Sequence, residues 1–130
     1  MEGKVHFNFS HESLTLGVER IVNGDEYGVS GSLKLAVYFS KQPYSGTGTI
    51  DGIKVFEAPT YEVEAGYYRG GVELTREWLR KPADGTYYVT VLLLEYDQRD
   101  ERYYIVSSKN FSEKASISYN AFFSGYWDVD

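Results

Sequence analysis

Strict alternation of apolar and polar side chains over short runs is the feature that most narrows what this chain can fold into. A two-residue period places one face of an extended strand in a core and the other in water. It is cleanest in two places. Val5, Phe7 and Phe9 alternate with Lys4, His6, Asn8 and Ser10, and Leu33, Leu35, Val37 and Phe39 alternate with Ser32, Lys34, Ala36, Tyr38 and Ser40. In a third run Leu14, Leu16 and Val18 oppose Ser13, Thr15 and Glu19, and Asn23-Gly24 then supplies a turn. Between Thr49 and Ala58 the apolar residues Ile50, Ile53, Val55 and Phe56 fall out of step around Asp51-Gly52, which predicts a bulge near that glycine. Tyr68, Val72, Leu74 and Trp78 predict a further strand. The competing assignment is a short helix over 72–81, with Leu74 and Trp78 four apart and Glu73 and Glu77 supporting Arg76 and Arg80, before Pro82 forces a boundary.

From Gly85 to Tyr96 both faces are apolar. Tyr87, Val89, Val91 and Leu93 lie on one, and Tyr88, Leu92, Leu94 and Tyr96 on the other. Such a strand is central in its sheet and covered on both sides, or its second face meets a partner. Asp97 to Glu101 is a polar loop, Tyr103 to Ser107 runs back as a hairpin partner, and Ala115, Ile117 and Tyr119 mark the last regular strand. Eight strands without a helix predict an all-β, antiparallel sandwich, one domain over residues 1–130.

Composition removes several chemistries. The formal charge of −6 repels a phosphate backbone, so nucleic acid is set aside as a partner. The absence of cysteine removes disulfides, thiolate catalysis and iron–sulfur ligation, and leaves the compartment open. No apolar run approaches the length of a membrane helix, and only Met-Glu-Gly-Lys precedes the first strand, so the chain as written is expected to be soluble, without membrane insertion.

Pro82-Ala-Asp-Gly-Thr-Tyr-Tyr-Val-Thr-Val91 resembles the segment that opens the penultimate strand of immunoglobulin-like and fibronectin type III-like modules in bacterial surface and secreted proteins. Asp84-Gly85 makes the corner, and one tyrosine folds back so that its hydroxyl meets backbone groups at the core's edge, Tyr87 before Tyr88. Ser30 to Tyr38, followed by Pro43-Tyr-Ser-Gly46, is similar to such modules too, and the likeness runs from Ser30 to Phe111. The resemblance implies an immunoglobulin-like sandwich with a non-catalytic role in adhesion, spacing or recognition. It implies a place outside the cell or on its surface if the chain is an excised module.

His6 and His11 are the only histidines, and their spacing gives them no common strand face, so both are expected to be solvated rather than catalytic or metal-bound. There is no Gly-x-Ser-x-Gly elbow. Gly46-Thr-Gly48 and Gly70-Gly71 lack the lysine and strand-to-helix setting of a phosphate loop. Asp97, Asp100 and Glu101 share a loop with the hard oxygen ligands of a Ca²⁺ site, but Arg99 and Arg102 among them offset the field a cation requires; a solvated turn is the expectation. No catalytic residue, metal ligand or cofactor is therefore assigned.

Aromatic content, 17% with 13 Tyr, is the largest departure from an average domain. Tyr44, Tyr61, Tyr67, Tyr68, Tyr103, Tyr104, Tyr126 and Trp127 fall in loops, at strand ends or on less apolar faces. Of these, Tyr67, Tyr68, Tyr103, Tyr126 and Trp127 are the candidate binding residues. The aromatic tail from Asn120 to Asp130 either packs along its own domain, the favoured outcome, or fills an edge of a neighbouring copy. The expected function is a non-enzymatic interaction module for a protein partner or self-assembly. The alternative is a carbohydrate-binding module whose exposed rings meet sugar faces, and a small hydrolase or metal-dependent enzyme comes third.

Overall fold

Backbone pairing follows the alternation. A computed structural model describes residues 1–22, 31–60, 68–121 and 123–129, with the backbone alone described at 68–70. Among these residues there are nine strands and no helix: β1 (Glu2–Phe9), β2 (Ser13–Val22), β3 (Leu33–Ser40), β4 (Ile53–Pro59), β5 (Tyr68–Glu77), β6 (Gly85–Asp97), β7 (Arg102–Asn110), β8 (Ala115–Ile117) and β9 (Gly125–Val129). They form two antiparallel sheets. The first has the order β5-β2-β1-β9; the second runs β4-β3-β6-β7, with β8 paired to the start of β6.

The sheets pack face to face as a β-sandwich because each buries one period-two row. Val5, Phe7 and Phe9 of β1 and Leu14, Leu16 and Val18 of β2 meet Leu35, Val37 and Phe39 of β3 and Val89, Val91 and Leu93 of β6 in one cluster. Phe39 crosses between the layers, its ring centroid 6.2 Å from Phe7 and 5.9 Å from Phe9. Burying each such side chain stabilises the fold by about 1.5–3 kcal/mol. One end is closed by Trp78, whose Nε1 donates to the Ser10 carbonyl at 2.9 Å and whose ring meets Phe9 at 5.4 Å. Phe123 packs behind both.

The segment 68–77 is a strand, paired with β2 from Ser13↔Glu77 to Val22↔Tyr68, so cross-strand pairing prevails over the helical spacing of Leu74 and Trp78. The tail packs in cis. Its β9, a strand beyond the eight expected, pairs with β1 from Val5↔Val129 to Phe9↔Gly125. The bulge expected near Gly52 falls three residues on: the register slips between Val37↔Phe56 and Tyr38↔Lys54, so Val55 is the extra residue. The slip lets adjacent Val55 and Phe56 both be fully buried. At the corner before β6, the Tyr87 hydroxyl donates to the Ala83 carbonyl at 2.7 Å, as expected of that tyrosine.

Candidate functional site

With the inner faces consumed by the core, chemistry is left to the two outer faces and the sheet edges. On the first sheet the register sets Glu73, Gly17, His6 and Asp128 in one row across four strands, and Thr75, Thr15, Asn8 and Tyr126 in the next. His6 lies over Gly17, where a Cβ would stand 2.0 Å from the imidazole Cε1, so only glycine leaves room for that ring. Its Nε2 is 3.4 Å from Glu73 Oε2, and Tyr126 stacks beside it at 6.3 Å between centroids. The Thr15 and Thr75 hydroxyls hydrogen-bond at 2.8 Å. On this polar face His6 and Thr15 thus find partners within the sheet. His11 instead packs against the Phe123 ring at 5.1 Å.

The outer face of the second sheet is partly covered. Ala36, Thr90 and Leu92 are buried there, which answers why β6 is apolar on both sides: the chain's own loop between β3 and β4 lies over it. Asn110 fastens that loop. Its Nδ2 donates to the Tyr44 carbonyl at 2.8 Å, and its Oδ1 accepts from the Thr90 hydroxyl at 2.7 Å. Tyr44 is buried, its hydroxyl donating to the Gly48 carbonyl at 2.6 Å. Between this loop and the start of β7 runs a groove of about 580 Å³, lined by Tyr44 and 46–49 on one side and Arg102, Tyr103, Tyr104 and Ile105 on the other.

Charges flank the groove. Glu57 accepts from Lys34 at 3.1 Å through Oε1 and from Lys54 through Oε2. Burial pushes the Glu57 carboxyl up, but hydrogen bonds from Lys54 and Lys34 outweigh it and hold the group below its ordinary value; the same bond raises Lys54. Lys34 Nζ also sits 3.8 Å over the Tyr103 ring, and Tyr103 packs on Tyr96 at 5.2 Å. Arg102 Nε donates to the Tyr104 hydroxyl at 3.0 Å, and that hydroxyl donates to Asp100. In the adjoining turn, the Arg99 side chain and backbone N–H hold the Asp97 carboxyl below its usual range. Asp97 thus answers to Arg99, and Asp100 to Tyr104. Among the described residues no group of three or more His, Asp or Glu side chains is placed to hold a metal.

The sequence's five candidates do not form one site. Tyr103 and Tyr126 are exposed, at 37% and 59%, but on the outer faces of different sheets. Trp127 is a correction: it is 7% exposed, not surface-displayed, because it shares the inward row with Phe7 and stacks on Phe9 at 4.8 Å. Tyr44, also expected at the surface, is the loop's buried anchor. Tyr67 lies outside the described residues, and of Tyr68 only the backbone place at the start of β5 is described.

Sequence reasoning named Tyr103 and Tyr104 as surface rings but passed over the apolar run they open on β7. Of the large apolar residues exposed among those described, Tyr103, Tyr104 and Val106 (51%) sit together on this edge strand. The signal was there in Tyr103-Tyr-Ile-Val106, four apolar residues in succession where alternation should leave two. The register explains the lapse: Ile105 faces Leu94 and Ser107 faces Leu93, leaving Val106 as a bulge. The other edges are better guarded. β5 ends in Thr75, Arg76 and Glu77, β9 has five residues, and β4 ends at Pro59 with its Val55 carbonyl taken by the Leu79 N–H at 2.9 Å. Compared with known proteins, the chain matches no family model, no curated protein and no solved structure.

Proposed function

We propose that the chain is a non-catalytic interaction module that receives a protein partner as an added strand along β7. The observation that carries this reading is the joining of an exposed apolar edge, Tyr103 to Val106, to a groove on the same flank. An unpaired edge offers backbone hydrogen bonds to an extended peptide, and an adjoining groove accepts its alternate side chains. Aromatic residues near arginine are also the usual composition of protein interfaces. The kinship with immunoglobulin-like modules is part of the same proposal. In its favour, the first, second and fifth strands share one sheet and the third, sixth and seventh share the other, as in those domains, and Tyr87 makes the expected corner. β4 departs from the constant-domain pattern by pairing with β3.

Carbohydrate recognition is the second reading, and it belongs to the opposite face. Tyr126, the most exposed ring among the described residues, lies there among Asn8, Thr15 and Asp128, side chains suited to sugar hydroxyls. Against it, His6 already stacks on this ring, which leaves a smaller open platform.

Backbone amide NMR separates the two. A capped peptide of alternating Val and Thr is expected to shift Tyr103 to Ser108 and Thr47 to Thr49, with the shifts lost in Val106→Lys. Shifts at His6, Asn8 and Tyr126 with a mixture of oligosaccharides, and none at β7 with the peptide, would replace the first reading by the second.

A further inference from the structure

We infer, building on strand addition at β7, that the strand taken up there carries a carboxylate, and that Arg102 receives it at the mouth of the groove. The chain is acidic overall, at −6, and the charges around the groove are mixed: Lys34, Lys54, Arg99 and Arg102 stand among Glu57, Asp97, Asp100 and Glu101. Asp97, which pairs with Arg102 across the strands, is held by Arg99. Glu57 uses one oxygen for each lysine, and Asp100 accepts from the Tyr104 hydroxyl. Of the cations, Lys34 and Lys54 are spent on Glu57, and Lys34 also covers a face of Tyr103. Arg102 differs. Its Nε donates to Tyr104, its guanidinium lies 5.2 Å from the centre of that ring and Asp100 stands nearby, but its two terminal amino groups make no hydrogen bond among the described residues.

A guanidinium held by one nitrogen keeps a pair of parallel donors that match the two oxygens of a carboxylate, and Tyr104 fixes the direction in which the pair points. The walls next to it specify the neighbour. Tyr103 and Ile105 line the groove on the β7 side; opposite them are Gly46 and Gly48, at φ +95° and +76°, where a Cβ would meet nothing within 4 Å. Those glycines leave that wall low and open. Successive side chains of an added strand point to opposite faces, as Arg102 and Tyr103 do on β7. The segment recognised is therefore extended, with an apolar residue set between Tyr103, Ile105 and the loop, and an acidic residue at the adjacent position, on the face of Arg102 and Tyr104. A second copy of this chain is disfavoured as occupant because two molecules of like net charge repel.

Three capped heptapeptides test this, each alternating Val and Thr with a single Glu, Gln or Lys in place of the Thr next to the central Val, titrated into the labelled protein while β7 amides are followed. The Glu peptide is expected to bind about fivefold tighter than the Gln peptide, with Lys weakest. The preference should vanish in Arg102→Gln, invert in Arg102→Glu and shrink with added salt. Equal binding of all three at β7 would overturn the carboxylate preference while leaving strand addition in place. If no peptide shifts β7, strand addition itself falls. Concentration-dependent sedimentation that is lost in Val106→Lys would instead assign the edge to a second copy and overturn the acidic-partner proposal.

Discussion

The two outer faces of this sandwich arise from the same alternation and end up unlike. On the first sheet two outward rows are answered within the sheet: His6 by Gly17, Glu73 and Tyr126, and Thr15 by Thr75. On the second, the outward row is apolar enough to need a cover. The Tyr44 loop covers its middle and is tied to β7 at Asn110, the strand's last residue, leaving the groove and a bare aromatic edge at the strand's start. A face that satisfies itself has little to gain from a ligand, whereas apolar surface left beside unpaired backbone gains both burial and hydrogen bonds when a strand is added.

The strongest way to break this contrast is to remove the element that completes the first face. Trp127 holds β9 against Phe9 and Phe7, so Trp127→Ala should cost about 3–5 kcal/mol in urea unfolding. NMR of the variant should show the shifts concentrated on β1 and β9 and small on β7. A loss below about 1 kcal/mol would mean that the indole is not in the core.

A smaller effect sharpens how the first face is closed. Gly17→Ala drives a methyl into the His6 ring and should destabilise by about 1–2 kcal/mol, with most of the loss recovered in the Gly17→Ala/His6→Ala double variant. Additive losses in that cycle would show that His6 does not rest on Gly17.

The smallest effect concerns the ion triad beside the groove. Because Glu57 has a lowered folded-state pKa, its contribution is present above its unfolded pKa and fades as pH falls through the folded value. Lys54, with a raised pKa, contributes fully below its unfolded value and loses that contribution as pH rises through the folded one. The wild type should thus lose its advantage over Glu57→Gln at both extremes, most visibly in acid. The difference near neutrality should stay near 1 kcal/mol or less, since both groups are partly solvated. A stability difference that does not change between neutral and acidic pH would contradict the pairing.

Much of the fold was legible because period-two alternation specifies which side chains face inward, and Val5, Phe7, Phe9, Leu35, Val37 and Phe39 obey it strictly. What escaped were features set by distant partners. Trp127 looks like a surface ring in a polar tail until pairing with β1 fixes its parity with Phe7. Asp51-Gly52 carries the local signature of an irregularity, but the slip falls at Val55, where two adjacent apolar residues both need burial. The double-faced apolarity of β6 left open a cover or a partner, and the answer depended on Asn110 meeting Tyr44, 66 residues apart. The groove was illegible for the same reason: its two walls come from segments with no mutual pattern in the sequence.

The most direct test is the set of nuclear Overhauser contacts made by the Glu-bearing peptide once bound. Cross-strand backbone contacts to Tyr103 and Ile105, with the peptide's acidic side chain near Arg102, are the predicted result. Contacts to Tyr126 and His6 on the other face, with none along β7, would contradict the account.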